Sequence, residues 1–275
     1  MSIKVKDADG LDKYYQTVED GSLVNPFQSV VPSYRVAHAE ESIRLTYGDT
    51  VSVWQKAKSL IKFGSNKDLD TGVSETIWST GGNETLKTAN EIDVVVSTSA
   101  SDTQTITIEG HTISGTDLTF VTQDLTLNGT TPVSLTTPLA RVNRLFNSSA
   151  TNFVGDITVE DSGTSTNLTI LGTEGDNQSK KCQTAISKDD YFIVTQISGG
   201  VVGTIAASIN FSFQFAEVGK VWRTIREFSS ANYTEVPLDP PIIIRKNTDI
   251  RIIATSDTNN TEAVAELSGY LAKII

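Results

Sequence analysis

The chain has 275 residues, a formal net charge of −11 and a pI near 4.7. That length can bury one large or two moderate cores, and that charge is repelled by phosphate backbones, which argues against nucleic acid as a partner. With one cysteine, Cys182, and two histidines, His38 and His111, the chain can build neither a disulfide framework nor a four-ligand nitrogen and sulfur zinc site.

Thr and Ser make up nearly a quarter of the residues, and Val, Ile and Thr recur in short alternating runs, which predicts strands rather than helices. The expected fold is all-β: two β-sandwich or jelly-roll-like domains, residues 63–162 and 163–275, behind an N-terminal arm and linker, residues 1–62. The start is polar and charged, with no apolar signal segment, and no run approaches 18 apolar residues. Synthesis in a cytoplasm and no membrane partner are therefore expected.

Residues 1–35 carry Tyr14, Tyr15, Phe27 and Tyr34 in no regular period, broken by Gly10, Gly21, Pro26 and Pro32. Aromatics on a segment too irregular to form its own core need another surface, so these four are the candidate partner-docking residues. From Val51 to Ile61 the pattern predicts a short helix, with Trp54, Leu60 and Ile61 on its buried edge.

Residues 63–82 read FGSNKDLDTGVSETIWSTGG, with Asp70-Thr71-Gly72 at the centre. An aspartic protease needs two carboxylates sharing one proton, and the chain has no second copy of this motif. Asn66, Asp68 and Asp70 space their oxygens like the start of a calcium loop. Counted from Asn66, however, the position for the invariant glycine holds Thr71 and that for the bidentate glutamate holds Ile77. Residues 65–69 read as a polar turn whose Asx side chains bond their own backbone.

Strands are then expected at residues 91–97, 104–109 and 118–122, each bounded by Gly, Ser or Asp. Residues 124–135, DLTLNGTTPVSL, predict a hairpin, because Asn-Gly tolerates the positive φ of a type I′ turn. Residues 141–146 and 156–159 complete the first domain. Two basic clusters, Arg141 with Arg144 and Arg245 with Lys246, sit beside strand patterning and read as solvated faces.

Beyond the polar run 161–166, the clearest strand is residues 204–215. It places Ile205, Ala207, Ile209, Phe211, Phe213 and Phe215 on one face and Ala206, Ser208, Asn210, Ser212 and Gln214 on the other. Gly199-Gly200 reads as the end of the preceding strand. Further strands are expected at 191–197, 221–228, 241–245, 249–255 and 262–275. Trp78 and Trp222, the candidate sugar platforms, sit within strand patterning and read as core. No catalytic residue, cofactor or metal ligand is expected: His, Cys and the carboxylates form no convergent set.

Residues 63–72 (FGSNKDLDTG), Ile77-Trp78, Gly81-Gly82, 125–131 (LTLNGTT), Arg141-Val-Asn-Arg144, and a late Pro-Leu-x-x-Pro followed by 246–251 (KNTDIR) together resemble a group of tailed-bacteriophage virion structural proteins, common among phages of aquatic bacteria. The resemblance covers roughly residues 60 to 275. It implies a non-enzymatic protein of the virion, made in the host bacterial cytoplasm, with phage capsid or tail subunits as partners. It further implies capsid decoration or cement, or else a tail or fibre-base adaptor, and a homo-oligomer, favoured as a trimer. A carbohydrate-binding β-sandwich is the reading from a different class.

Overall fold

The structure is a computed structural model that describes residues 2–6, 12–17, 23–24, 42–45, 53–161, 165–170, 175–202 and 208–273, with side chains from residue 57 onward except at 165–167. The chain divides into two compact units, Met1–His38 and Ala39–Ile275. Every regular element among the described residues is a strand.

In the first unit, β1 (Ser2–Lys6), β2 (Asp12–Thr17) and β3 (Leu23–Val24) form an antiparallel sheet in that order. Tyr14 and Tyr15 fall on β2, in register with Lys4 and Ile3. Part of the segment expected to be an irregular arm is therefore a sheet. Phe27 and Tyr34 lie outside the described residues.

The second unit opens with β4 (Ser42–Leu45), β5 (Val53–Leu69) and β6 (Glu75–Thr76). The helix expected over residues 51–61 is absent, because β5 runs straight through it. Lys, Gln, Ala and Leu favour a helix only weakly, and pairing with a neighbouring strand from Ala57 to Leu69 outweighs that preference. Residues 65–69 are likewise the end of this strand rather than a polar turn. Asn66 can be buried there because its amide donates to Glu75 Oε2 at 3.1 Å and to the Thr76 carbonyl at 3.3 Å.

Next come β7 (Ile92–Ser97), β8 (Thr105–Ser114), β9 (Asp117–Thr126), β10 (Val133–Leu139), β11 (Arg141–Asn147), β12 (Ile157–Asp161) and β13 (Ser165–Ile170). They form a sandwich of two sheets, β10-β7-β12-β13 and β11-β8-β9. Ile92, Val95, Ile157 and Val159 of one sheet and Ile106, Ile108, Val142 and Leu145 of the other belong to one core. The polar run after residue 161 lies between two strands that pair with each other, β12 and β13.

The Asn-Gly turn forms, but not as the expected hairpin. Thr131 N donates to Asn128 O at 3.0 Å, and Gly129 carries the positive φ, 58°, at the first central position only, as in a type II′ turn. A single bridge joins Asn128 to Thr131, and the flanking strands then part into opposite sheets. Leu127 and Leu135 are both buried in the sandwich core, so closing the sandwich takes precedence over extending the hairpin.

The remaining strands are β14 (Gln183–Ile186), β15 (Asp190–Val202), β16 (Ile209–Glu217), β17 (Arg223–Ser230), β18 (Tyr233–Ile244), β19 (Thr248–Ser256) and β20 (Thr261–Lys273). One sheet has the order β18-β15-β20-β5-β4, the other β14-β19-β16-β17, with β6 also on β19. Counting β5 as the first strand and β14 to β20 as the second to eighth, one sheet reads 1-8-3-6 and the other 2-7-4-5. This is the jelly-roll order. Its core joins Phe192, Val194, Ile197 and Leu267 to Phe211, Phe213, Ile250 and Ile252, and burying each such side chain stabilises the fold by about 1.5–3 kcal/mol. The alternation predicted for residues 209–215 is present: Ile209, Phe211 and Phe213 are buried and Phe215 packs against them. Ile205 and Ala207 lie outside the described residues. Gly199 sits inside β15, where a Cβ would come within 2.8 Å of the Phe211 ring, so the glycine admits that ring rather than ending the strand.

The sandwich of β7 to β13 is thus inserted between the first and second strands of the jelly roll. At its base the outgoing and returning chains are bonded to each other: Cys182 N donates to Ile77 O at 2.8 Å, and Trp78 bridges Lys181. Strand alternation splits neighbouring residues between the lobes, with Ile77 in the jelly-roll core and Trp78 in that of the insert.

Candidate functional site

The Asp70-Thr71-Gly72 stretch is a turn that ties β5 to the rest of the jelly roll. Gly72, at φ 73°, donates to Ser256 O at 3.0 Å, and Asp70 is exposed. Both oxygens of buried Glu75 are engaged, Oε1 by the Asp70 amide at 3.3 Å and Oε2 by Asn66 Nδ2 and the Gly82 amide at 3.1 and 2.7 Å. Asn66 Oδ1 accepts from the Asp68 amide at 3.0 Å, the Asx bond expected from the sequence. Among the described residues, no three His, Cys, Asp or Glu side chains are grouped to hold a metal ion.

The polar chemistry concentrates where the insert meets the jelly roll. Arg141, expected on a solvated face, is buried on β11 and forms a forked pair with Asp249 of β19, at 2.8 and 3.0 Å. Its Nη1 donates to the carbonyls of Lys87 and Ala140 at 2.5 and 2.8 Å. Such a fork satisfies a guanidinium out of water. Lys181 meets Glu84 at 2.7 Å and donates to the Val142 carbonyl at 2.9 Å. Glu84 also accepts from Gln183. Arg144 is only half-buried, bonded to Gln178 and lying over the Phe146 ring, while Arg245 and Lys246 are exposed as expected.

Beside these pairs, Lys62 of β5 donates to the Asn143 carbonyl at 2.6 Å. Burial, helped by the nearby Lys181 charge, lowers its pKa to about 8. His111 shares a hydrogen bond with Asn143 Nδ2 at 3.0 Å. Burial and then the Arg141 charge lower its pKa to about 4, so its neutral ring accepts the Asn143 amide proton at Nδ1. Cys182 is fully buried, and burial pushes its thiol well above the ordinary range. These groups are consumed in holding the lobes together, and none presents a nucleophile next to a free base.

Along the same junction opens a cleft of about 500 Å³, walled by residues 84–88, Ile113, Gly115, Thr116, residues 216–220 and Trp222, with Arg141 and Asp249 also lining it. Trp222 lines this cleft and is half-buried rather than core, whereas Trp78 is buried and donates Nε1–H to the Gly81 carbonyl at 2.7 Å. The Arg251 guanidinium covers the Trp222 ring at 4.0 Å from its centroid.

The sequence points to none of the charged pairs, since their partners lie 97 and 108 residues apart. One signal was available: the basic stretch beginning at Arg141 and the stretch 246–251, both part of the phage-like pattern, are joined directly by the Arg141–Asp249 fork. Tyr14 and Tyr15 are adjacent on β2 of the first unit.

No protein-family model matches the chain, and no curated protein matches it. Among solved structures, a chain from "Life in the extremes: atomic structure of Sulfolobus Turreted Icosahedral Virus" is similar at 9% identity and a TM-score of 0.15, covering 84% of this chain and 100% of that one. A similarity at that level carries no argument about fold or function.

Proposed function

We propose that the protein is a structural component of the outside of a bacteriophage particle, acting as a capsid decoration or cement protein. The observation that supports this most is the architecture: a jelly roll with a second sandwich inserted between its first two strands, locked by buried charge pairs. The jelly roll is a fold on which viral capsid proteins are built. Lectins and cupins use it too, so this support is analogy of fold. Several of the phage-like residues fall on its turns and seams: Asp70-Thr71-Gly72, Asn128-Gly129, Ile77-Trp78, and Arg141 with Asp249. The fixed charges at the junction serve cohesion, which suits a protein that works by adhering.

In this reading the N-terminal segment with Tyr14, Tyr15, Phe27 and Tyr34 docks on capsid subunits or on neighbouring copies, and the protein acts as a trimer. A unit of under about 40 residues that has no cysteine to close a disulfide usually needs some other support, which docking on a partner supplies. Immunogold labelling and quantitative mass spectrometry of purified particles test the proposal. Hundreds of copies per particle, spread over the shell, are expected. About a dozen copies at one vertex would move the protein to the tail, and absence from particles would end the virion reading. Light scattering of the purified chain reads the oligomer.

A further inference from the structure

The junction cleft has features that the virion reading leaves unused. Its volume, about 500 Å³, falls in the range of small-ligand sites. Of the charges that line it, Arg141 is paired with Asp249, Glu84 with Lys181, Lys87 with Asp161 and Glu217 with Arg223, while Lys220 is exposed. An anionic ligand held by Arg141 would have to displace Asp249, which leaves it Lys87, already engaged by Asp161, and the exposed Lys220, while an apolar ligand would strip water from charged walls without replacing it. An uncharged ligand rich in hydroxyls can instead use the remaining lone pairs and protons.

Trp222 supplies the other requirement. Its indole lines the cleft and is braced on one face by Arg251, itself held by Gln214 Oε1 at 3.1 Å. A braced ring loses little freedom when a flat partner stacks on it. Outside the cleft, the outer face of β16 and β17 continues as an exposed ladder of polar groups hydrogen-bonded in pairs: Gln214 to Thr224 at 3.1 Å, Ser212 to Glu227 at 3.3 Å, and Asn210 to Ser229. These side chains are fixed by one another.

We propose that this cleft is a saccharide site, in which a neutral oligosaccharide stacks one pyranose ring on Trp222 and extends from the cleft along the polar ladder of β16 and β17. Stacking supplies affinity through the C–H face of the ring, and the paired charges and the Thr88 and Thr116 hydroxyls at the cleft wall orient the ligand. The site stands on its own geometry and does not depend on where in a particle the protein sits.

The test uses the full chain on an array of neutral bacterial and plant hexose oligosaccharides, with sialylated and sulfated glycans and ADP as charged controls, followed by calorimetric titration of the best neutral glycan. Binding to neutral glycans is expected, with at least about a tenfold loss of affinity in Trp222→Ala and an unchanged circular dichroism spectrum. Retention of no neutral glycan, preference for the charged probes, or equal affinity in a folded Trp222→Ala variant would each overturn the proposal. If Trp222→Ala fails to fold, Thr116→Val replaces it: weaker binding of the same glycan supports the site and unchanged binding overturns it.

Discussion

The two lobe cores and the junction between them are held by opposite means. The cores are dominated by apolar side chains, with Phe192, Phe211 and Phe213 packed in the jelly roll and isoleucine, valine and leucine with Trp78 and Phe153 in the insert. The junction is built from Lys62, Glu84, His111, Arg141, Lys181 and Asp249, all buried. Apolar burial is strong but nearly indifferent to direction. Buried charges add little net stability, yet they tolerate only one arrangement of their partners. Stability therefore resides within the lobes, while their mutual orientation resides in the seam.

Orphaning one seam charge should have the largest effect. Asp249→Ala leaves Arg141 buried and unpaired, and should cost about 3–5 kcal/mol in urea unfolding. The double variant Arg141→Met with Asp249→Leu should recover most of that loss. If it does not, the pair is a source of stability and the contrast with the cores fails. Phe211→Ala should cost a similar ~3–5 kcal/mol, because it empties the space beside Gly199 and removes the stack on Phe228; no second substitution at the seam should rescue it.

A smaller effect should appear with pH. His111 titrates near 4 in the folded protein against an ordinary value of 6.5. Between those values the unfolded chain binds the extra proton, so stability is complete above pH 6.5 and falls as pH drops to 4, by about 3 kcal/mol in all. His111→Gln should flatten that slope. Lys62, lowered to about 8 from 10.5, works in the other window: stability should rise between pH 8 and 10.5 as the unfolded chain alone keeps its proton.

Smaller again is the tip of the insert far from the junction. There buried Asp102 accepts from Ser97 Oγ at 2.5 Å and from the Val154 and Gly155 amides at 2.8 and 2.9 Å. Asp102→Ala should cost about 1–3 kcal/mol, read as faster hydrogen exchange at those two amides with the junction unaffected. Burial alone would raise the Asp102 pKa, but the Ser97 hydroxyl and the two amides outweigh it and hold the value low. The stability this carboxylate contributes is therefore present above the ordinary aspartate range and lost only as pH falls through its lowered value.

Strands with one dry face were legible in the sequence because their period is local, as in residues 209–215. β5 was not, because its pattern is inverted: Ile61 and Phe63 are exposed while Lys62 between them is buried. A lysine turned inward makes sense only once the Asn143 carbonyl, 81 residues away, is in place. The Asn-Gly turn was legible as a turn, but which sheet each flanking strand joins depends on the core of the whole sandwich. The junction stayed hidden for the same reason: a buried arginine and a surface arginine look alike until the opposing carboxylate is known.

The neck at Ile77 and Cys182 has a consequence for how such a molecule can change. Since departure and return of the chain are hydrogen-bonded neighbours, the host fold experiences the whole excursion as if it were a tight loop. Gly64 fixes that arrangement, as a Cβ there would lie 2.1 Å from the Ile77 carbonyl oxygen and 2.4 Å from the Cys182 amide nitrogen. A cargo lobe of different size or sequence could be mounted on this stem without retuning the platform beneath, provided it carried its own counterparts to Arg141 and Glu84.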